Sequence, residues 1–284
     1  MIGVFDSGHG GLTVVRALAQ RFPERAFTYL GDHAHVPYGN RASDEIVALT
    51  RDGVEQLFRL GCRLVLLGCN TATCVAARTL QRDWLPATAW RGHNVLGIVA
   101  PTVEAATQTP WAKTTPQYPQ KYNADTIAVF GTTRTITSYV YPEEIKKRCP
   151  RVTVVQQICA ELVGAIESGA TDTVLDRIVA RDVAGLLAQT GGASPHQAIL
   201  GCTHFPLVEH LFRRHLPAAT RLFSQPDIVA DSFEDYLARH AEYDGGSMAP
   251  APRVLRLLTT GAPAEVSATA RIFWAGAPDF ERVG

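Results

Sequence analysis

A short apolar run that ends in Gly-Cys occurs twice in this chain, and the repeat limits the folds that the sequence can adopt. Residues 64–69 read Leu-Val-Leu-Leu-Gly-Cys, and residues 198–202 read Ala-Ile-Leu-Gly-Cys. Polar residues and then a helix-forming segment follow each copy. Continuous apolar runs of this length are typical of strands that are buried on both faces of a parallel sheet. The repeat therefore predicts an α/β fold with mainly parallel sheets.

The cysteine of each copy comes directly after a predicted strand and close to the amino end of the next predicted helix. Ligands of open α/β sheets bind at the carboxyl ends of the strands. Helix amide groups favour the thiolate form of a nearby cysteine. A lone free cysteine is more often a small buried hydrophobic residue. Two matched thiols on matched strand ends instead predict one site, with Cys69 and Cys202 on its two equivalent halves.

A second similarity indicates an internal duplication. Residues 3–8 read Gly-Val-Phe-Asp-Ser-Gly and residues 128–133 read Ala-Val-Phe-Gly-Thr-Thr, so each copy is a strand that ends in a polar turn. Each copy also precedes a Gly-Cys motif by a comparable length. We therefore predict two pseudo-symmetric α/β domains with the active site in the cleft between them. The predicted domains are residues 1–99 with 207–284 (the Cys69 side) and residues 100–206 (the Cys202 side).

Composition excludes several classes of protein. The 27 Lys and Arg residues balance the 27 Asp and Glu residues, so no net charge favours nucleic acid or an anionic membrane surface. Six cysteines without a Cys-x-x-Cys pair favour neither a disulfide scaffold nor a structural zinc site. The amino terminus lacks a signal-peptide pattern, and no apolar stretch is long enough to span a bilayer. The sequence thus predicts a reduced, cytoplasmic protein.

Two polar turns near the amino terminus suggest ligand contacts. Asp6 ends the first predicted strand, and the glycine-rich turn after it presents backbone N–H groups to an anion such as a carboxylate. Asp6 could cap the following helix, bind a substrate ammonium group or orient a catalytic group.

His33 and His35 could ligate a metal, but no carboxylate at a ligand spacing accompanies them. The sequence therefore predicts no metal site.

The paired thiols suit inversion at a carbon atom. One base must remove a proton from one face while its partner acid returns a proton to the other face. The reverse reaction exchanges these roles, so both groups should be of one kind. A thiolate and a thiol meet this requirement, and each can contribute about 10²- to 10⁴-fold as an acid or a base. A single Cys-His nucleophile would use Cys202 with His204 and leave Cys69 without a role.

These motifs resemble those of the glutamate racemase family, within the cofactor-independent aspartate/glutamate racemase superfamily. The matches run in order along nearly the whole chain, and the two cysteine motifs are the most specific. The strong matches are residues 5–14, 31–32, 37–39, 69–73 and 201–207. Weaker matches are residues 131–132 with Thr135, residues 166–169 and residues 258–261.

The resemblance implies that the protein interconverts L-glutamate and D-glutamate and supplies D-glutamate for peptidoglycan. It implies no metal and no other cofactor, and it suggests a homodimer. By the family pattern, Cys69 and Cys202 are the acid/base residues, and Asp6 and His204 tune them. The residues implied to hold the substrate are Asp6, Ser7, Tyr38, Gly39, Asn70, Thr71, Thr132, Thr135, Thr203 and His204.

Two alternatives remain open from the sequence. A sister racemase that acts on aspartate or a hydantoin would keep both thiols, and residue spacing does not distinguish its substrate. A non-catalytic amino-acid sensor on the same fold would need carboxylate and ammonium partners but no paired thiols. The sequence also leaves open the roles of Glu167, His33 and His35.

Overall fold

Two parallel β-sheets, each in its own compact unit, form the framework of the chain. The units are Met1–Ile98 with Val229–Gly284 (unit 1) and Val99–Ile228 (unit 2). The computed structural model describes residues 1–113, 115–118, 122, 125–243 and 255–283.

Unit 1 contains a six-stranded sheet in which every pair of neighbouring strands is parallel. Its strands are β1 (Ile2–Asp6), β2 (Phe27–Gly31), β3 (Leu64–Leu67), β4 (Asn94–Gly97), β9 (Leu255–Thr259) and β10 (Phe280–Arg282). The strand order is β10-β9-β2-β1-β3-β4. The central strand β1 pairs Asp6 with Gly31 and Phe5 with Leu67, so the carboxyl ends of three strands meet at one edge.

The helices of unit 1 cover this sheet. They are α1 (Leu12–Arg21), α2 (Ser43–Arg59), α3 (Asn70–Thr79), α4 (Leu85–Ala87) and α12 (Pro263–Phe273). Helix α2 buries residues at a spacing of three and four, and it has acidic residues in its first turn and Arg59 in its last, which complements the helix dipole. Gly53 lets α2 approach β1 closely, because a Cβ there would lie 2.1 Å from the Phe5 ring.

Unit 2 contains a four-stranded parallel sheet in the order β6-β5-β7-β8. Its strands are β5 (Thr126–Gly131), β6 (Thr153–Ile158), β7 (Gln197–Gly201) and β8 (Arg221–Phe223). Its helices are α5 (Val99–Thr107), α6 (Thr133–Thr137), α7 (Val140–Arg148), α8 (Leu162–Glu167), α9 (Asp172–Gln189) and α10 (Glu209–His215). Helix α11 (Gln225–Arg239) begins in unit 2 and ends in unit 1.

The predicted α/β fold with mainly parallel sheets is confirmed. Four adjacent strands of unit 1 follow the order β2-β1-β3-β4, and unit 2 follows the equivalent order β6-β5-β7-β8. Each cysteine of the repeat follows the third strand of its own unit. Unit 1 adds β9 and β10 beyond β2. The strand order therefore repeats as an internal duplication requires.

One domain boundary differs from the predicted position. The prediction placed residues 207–228 in the first domain, whereas these residues belong to unit 2. Strand β8 pairs with β7, and α10 packs against α9, so this segment completes the second sheet.

Within the described ranges, the structure has no helix that is long and apolar enough to cross a membrane.

Candidate active site

Cys69 lies at the carboxyl edge of the unit 1 sheet, between β3 and α3. Its backbone is extended, and its sulfur accepts a hydrogen bond from the Ala72 amide at 3.4 Å, so the thiol caps α3. The Ser7 hydroxyl lies 3.4 Å from the same sulfur. Cys69 is only 6% exposed. An amide donor at a helix amino end stabilises negative charge on sulfur, so this position suits a thiolate.

The turn after β1 folds tightly around Asp6. The side chain of Asp6 is buried, and its Oδ1 accepts a hydrogen bond from the Gly8 amide at 2.8 Å. Gly11 must be a glycine in this packing, because a Cβ there would lie 2.7 Å from the Asp6 Cβ. The turn therefore holds Asp6 and Ser7 next to Cys69.

The first turn of α3 contributes two further polar residues. Asn70 and Thr71 directly follow Cys69, and both are buried. Thr73, one turn along, donates its hydroxyl to the Leu67 carbonyl at 3.2 Å and ties the helix to its strand. Gly97 of β4 packs against this threonine so closely that a Cβ would lie 2.3 Å from Thr73 Cγ2. The start of α3 is therefore fixed relative to the strand ends.

Tyr38 is held by a buried carboxylate. Its hydroxyl donates to Asp32 Oδ2 at 2.7 Å, and Asp32 also accepts hydrogen bonds from Thr260 and from His35 Nδ1, each at 2.8 Å. Burial and then the charge of Asp32 raise the pKa of Tyr38, so its hydroxyl stays protonated. The hydrogen bond from the Tyr38 hydroxyl to Asp32 therefore orients this loop. Gly39 is the next residue, so its backbone is held next to Tyr38.

The second thiol, Cys202, lies after β7 within a chain of three polar side chains. Its sulfur lies 3.7 Å from His204 Nδ1, and His204 Nε2 lies 2.9 Å from Glu167 Oε1 at the end of α8. Burial alone lowers the pKa of His204, but hydrogen bonds and negative charge from Cys202 and Glu167 raise it to about 10. The raised pKa favours the imidazolium form of His204 at neutral pH, with its ring next to the Cys202 sulfur.

Two threonines follow β5 at the same edge of the unit 2 sheet. Thr132 caps α6, and its hydroxyl lies 3.1 Å from the Thr135 hydroxyl. β5 pairs with β7 through Gly131 and Gly201, so these threonines and Cys202 follow adjacent strand ends. Thr203 is buried next to Cys202.

The structure thus groups the predicted residues into two clusters, one at the carboxyl edge of each sheet. The unit 1 cluster is Asp6, Ser7, Tyr38, Gly39, Cys69, Asn70 and Thr71. The unit 2 cluster is Thr132, Thr135, Cys202, Thr203 and His204.

The two loop histidines bond to protein groups. His35 pairs with Asp32, and His33 Nδ1 lies 2.9 Å from the Thr259 hydroxyl. The His33 ring also packs edge-on against His9, with ring centres 4.2 Å apart. No group of three or more His, Cys, Asp and Glu side chains that could hold a metal ion occurs in the part of the chain that the structure describes.

Two residues join the clusters beyond those selected from the sequence. Glu167 contacts His204, although 37 residues separate them in the chain. Asp32 contacts Tyr38 and directly follows β2, the neighbour of β1. The sequence could have indicated Asp32 as a site residue, because Asp32 lies at the end of a predicted strand, as Asp6 does.

Comparison with known proteins identifies the family. No protein-family model matches the chain. A glutamate racemase from Phenylobacterium zucineum is 46% identical over 284 residues, with 99% of each chain covered. The crystal structure of a glutamate racemase isoform from Bacillus anthracis superposes with a TM-score of 0.83 at 25% identity, covering 100% of this chain and 97% of that one.

A second solved structure has the same fold. It is the glutamate racemase of Francisella tularensis in complex with D-glutamate, with a TM-score of 0.80 at 22% identity and coverage of 99% of this chain and 95% of that one. The fold, the two cysteine-centred clusters and the 46% identity to a curated relative lead to one conclusion. The chain belongs to the glutamate racemase family and is an isomerase.

Proposed function

We propose that the protein interconverts L-glutamate and D-glutamate by proton transfer at Cα, with Cys69 acting on one face of the substrate and Cys202 on the other. The observation that supports this most is the hydrogen-bonded chain Cys202–His204–Glu167, because it gives one thiol of the duplicated pair a charged partner. A protein that only bound an amino acid would need no such group. The product D-glutamate would serve peptidoglycan synthesis.

The two directions use the thiols in opposite roles. With L-glutamate, the Cys202 thiolate removes the Cα proton, and the Cys69 thiol delivers a proton to the opposite face. The enzyme then holds a Cys202 thiol and a Cys69 thiolate, which is the state that accepts D-glutamate. Each direction therefore starts from the protonation state in which the other direction ends.

Different partners would stabilise the two thiolates. The His204 imidazolium supplies a full positive charge to Cys202, and Glu167 keeps that imidazolium protonated and oriented. Cys69 receives the Ala72 amide and lies next to the Ser7 hydroxyl, so it relies on dipoles. We expect the Cys202 half to respond more strongly to the loss of a single charge.

The remaining polar residues would hold the substrate. Asp6 suits the ammonium group because it is a buried carboxylate in a turn next to Cys69. The carboxylates of glutamate need donors, and amides and hydroxyls aimed at developing charge also stabilise a carbanion-like transition state. The donors proposed for this role are Asn70, Thr71, Thr132, Thr135 and Thr203, together with the Gly39 backbone.

The chemistry requires no cofactor, because the two thiols and their partners supply both proton transfers. We also propose that the protein is a homodimer in the cytoplasm. Size-exclusion chromatography with light scattering tests the homodimer. A mass of one chain in solution would contradict it.

Circular dichroism tests the proposed activity directly. Purified protein should remove the optical signal of L-glutamate without any added cofactor, and the signal of D-glutamate should decay to the same end point. L-aspartate and a hydantoin are assayed separately as alternative substrates. Faster loss of signal with either one would assign the protein to a sister activity, and no loss with any of them would favour a sensor.

A further inference from the structure

The motif Leu-Thr-Thr-Gly at residues 258–261 lies where strand β9 ends, at the carboxyl edge of the unit 1 sheet. Strand β9 is the neighbour of β2 and pairs Thr259 with Gly31. The pairing extends one residue further, because the Thr260 amide donates to the Gly31 carbonyl at 3.2 Å. Thr260 therefore lies beside Asp32, the first residue after β2.

The Thr260 hydroxyl makes two hydrogen bonds to the loop after β2. It donates to Asp32 Oδ1 at 2.8 Å and accepts from the Ala34 amide at 3.0 Å. Asp32 is 4% exposed, and its Oδ2 accepts from the Tyr38 hydroxyl at 2.7 Å. A buried carboxylate needs such donors, because an unpaired buried charge costs free energy. A hydrogen-bonded chain thus runs from Thr260 through Asp32 to Tyr38, next to Gly39.

Thr259 holds the start of the same loop through His33. The Thr259 side chain is fully buried, and its hydroxyl lies 2.9 Å from His33 Nδ1 and accepts from the Gly261 amide at 2.9 Å. Gly31 leaves room for the imidazole ring, since a Cβ there would lie 2.2 Å from His33 Cε1. The ring also packs edge-on against Phe280, with ring centres 5.3 Å apart. These contacts fix the start of the loop against β9.

The other end of the loop lies at the Cys69 cluster. Tyr38 is 1% exposed and belongs to the same buried cluster as Cys69 and Phe5. Helix α3, which begins directly after Cys69, contacts residues 38–40. A shift of this loop would therefore move Tyr38 and the Gly39 backbone relative to the start of α3.

We propose that Thr260 is a positioning residue that acts through Asp32 on the Tyr38–Gly39 turn. The functional half of this inference rests on the proposed racemisation, in which the Gly39 backbone is a donor to the substrate. Misplacing a donor that binds substrate and transition state alike raises KM and leaves kcat nearly unchanged. The order of the loop itself does not depend on that activity.

Hydrogen exchange followed by mass spectrometry tests the order of the loop. The wild-type protein is compared with Thr260→Val, which removes the hydroxyl at nearly constant shape, and with Thr260→Ser, which keeps the hydroxyl. Thr88→Val is the matched control. The Thr88 hydroxyl also donates to a carbonyl, that of Leu85, and accepts from an amide, that of Trp90, each at 3.3 Å. It precedes β4, so it lies at the opposite, amino edge of the sheet.

The expected result is confined to the loop. Residues 32–41 should exchange about tenfold faster in Thr260→Val, because the variant loses a hydrogen bond to a charged group and the acceptor of the Ala34 amide. Exchange in β9 should not change, and Thr260→Ser and Thr88→Val should match the wild type over residues 32–41. Unchanged exchange of residues 32–41 in Thr260→Val, or equal acceleration in Thr88→Val, would overturn the proposal.

Steady-state racemisation tests the functional half. In Thr260→Val, KM for both enantiomers should rise about tenfold while kcat stays within about threefold of the wild type. Thr260→Ser should stay within about twofold of the wild type in both constants. A loss confined to kcat in Thr260→Val would overturn the proposal. A tenfold rise of KM in Thr260→Ser would do so as well, even if Thr260→Val does not fold.

Tyr38→Phe breaks the same hydrogen-bonded chain at its other end. It should also raise KM, and KM of the double variant with Thr260→Val should exceed that of the weaker-binding single variant by no more than about threefold, because both changes act through one carboxylate. An unchanged KM in Tyr38→Phe, or two effects that multiply in the double variant, would overturn the proposal. Loop exchange as expected in a wild-type protein that does not racemise glutamate would refute the proposed function alone.

Discussion

Glu167→Gln separates charge from shape at the Cys202 half of the site. Glutamine keeps the size and one oxygen acceptor for His204 Nε2, which lies 2.9 Å from the carboxylate, but it removes the negative charge. A hydrogen bond to a charged group contributes about 1.5–3 kcal/mol, or roughly one to two pKa units. The pKa of His204, about 10 in the native protein, should therefore fall to about 8–9 in the variant.

The sign of this change sets the pH dependence. The imidazolium forms below the pKa of His204, so the alkaline limb of kcat/KM should move to lower pH by about one to two units. At pH 10 the variant should be about 5- to 50-fold slower than the wild type, while at pH 7 the difference should stay within about twofold.

The assay is the pH profile of kcat/KM for L-glutamate, followed by circular dichroism. Glu209→Gln is the control, because it makes the same chemical change at the start of α10. An alkaline limb that does not move in Glu167→Gln would refute the role of the ion pair. An equal movement in Glu209→Gln would show that the effect is not specific to His204.

Three further predictions concern the rest of the chain. Cys69→Ala and Cys202→Ala should each lower racemisation by at least about 10²-fold, as measured by circular dichroism, and near-normal activity in either would contradict the use of two thiols. Activity should survive dialysis against a chelator without added pyridoxal phosphate, and loss that one metal restores would contradict this. Gly97→Ala should lower the free energy of unfolding by about 1–3 kcal/mol in urea titration, because its Cβ would lie 2.3 Å from Thr73. Gly92→Ala is its control, since no atom lies within 4 Å of a Cβ there, and an equal loss in both would contradict the packing argument.

The sequence predicts the parallel sheets and the positions of both thiols because these depend on local patterns. A strand-length apolar run followed by Gly-Cys determines where the chain leaves the sheet, and Cys69 and Cys202 do follow β3 and β7. The equivalent strand orders of the two units agree with the predicted duplication. Such features need no knowledge of which distant side chains meet.

Contacts between distant residues are harder to predict. Glu167 reaches His204 only because α8 and the end of β7 meet in the folded unit, and no spacing in the sequence encodes that. The Tyr38 hydroxyl donates to Asp32 across a turn, and no spacing in the sequence encodes that contact either. The boundary near residue 228 depends on β8, a strand of three residues that carries little pattern of its own.

Isotope incorporation in deuterated water tests the central claim, that Cys69 and Cys202 act from opposite faces. Starting from either enantiomer, product isolated early should carry solvent deuterium at Cα, while the remaining substrate keeps its original hydrogen. The reason is that the thiol that abstracts the proton still holds it while the opposite thiol delivers deuterium. Early product that retains the original hydrogen, or substrate that exchanges as fast as product forms, would show a single shared base and contradict the account.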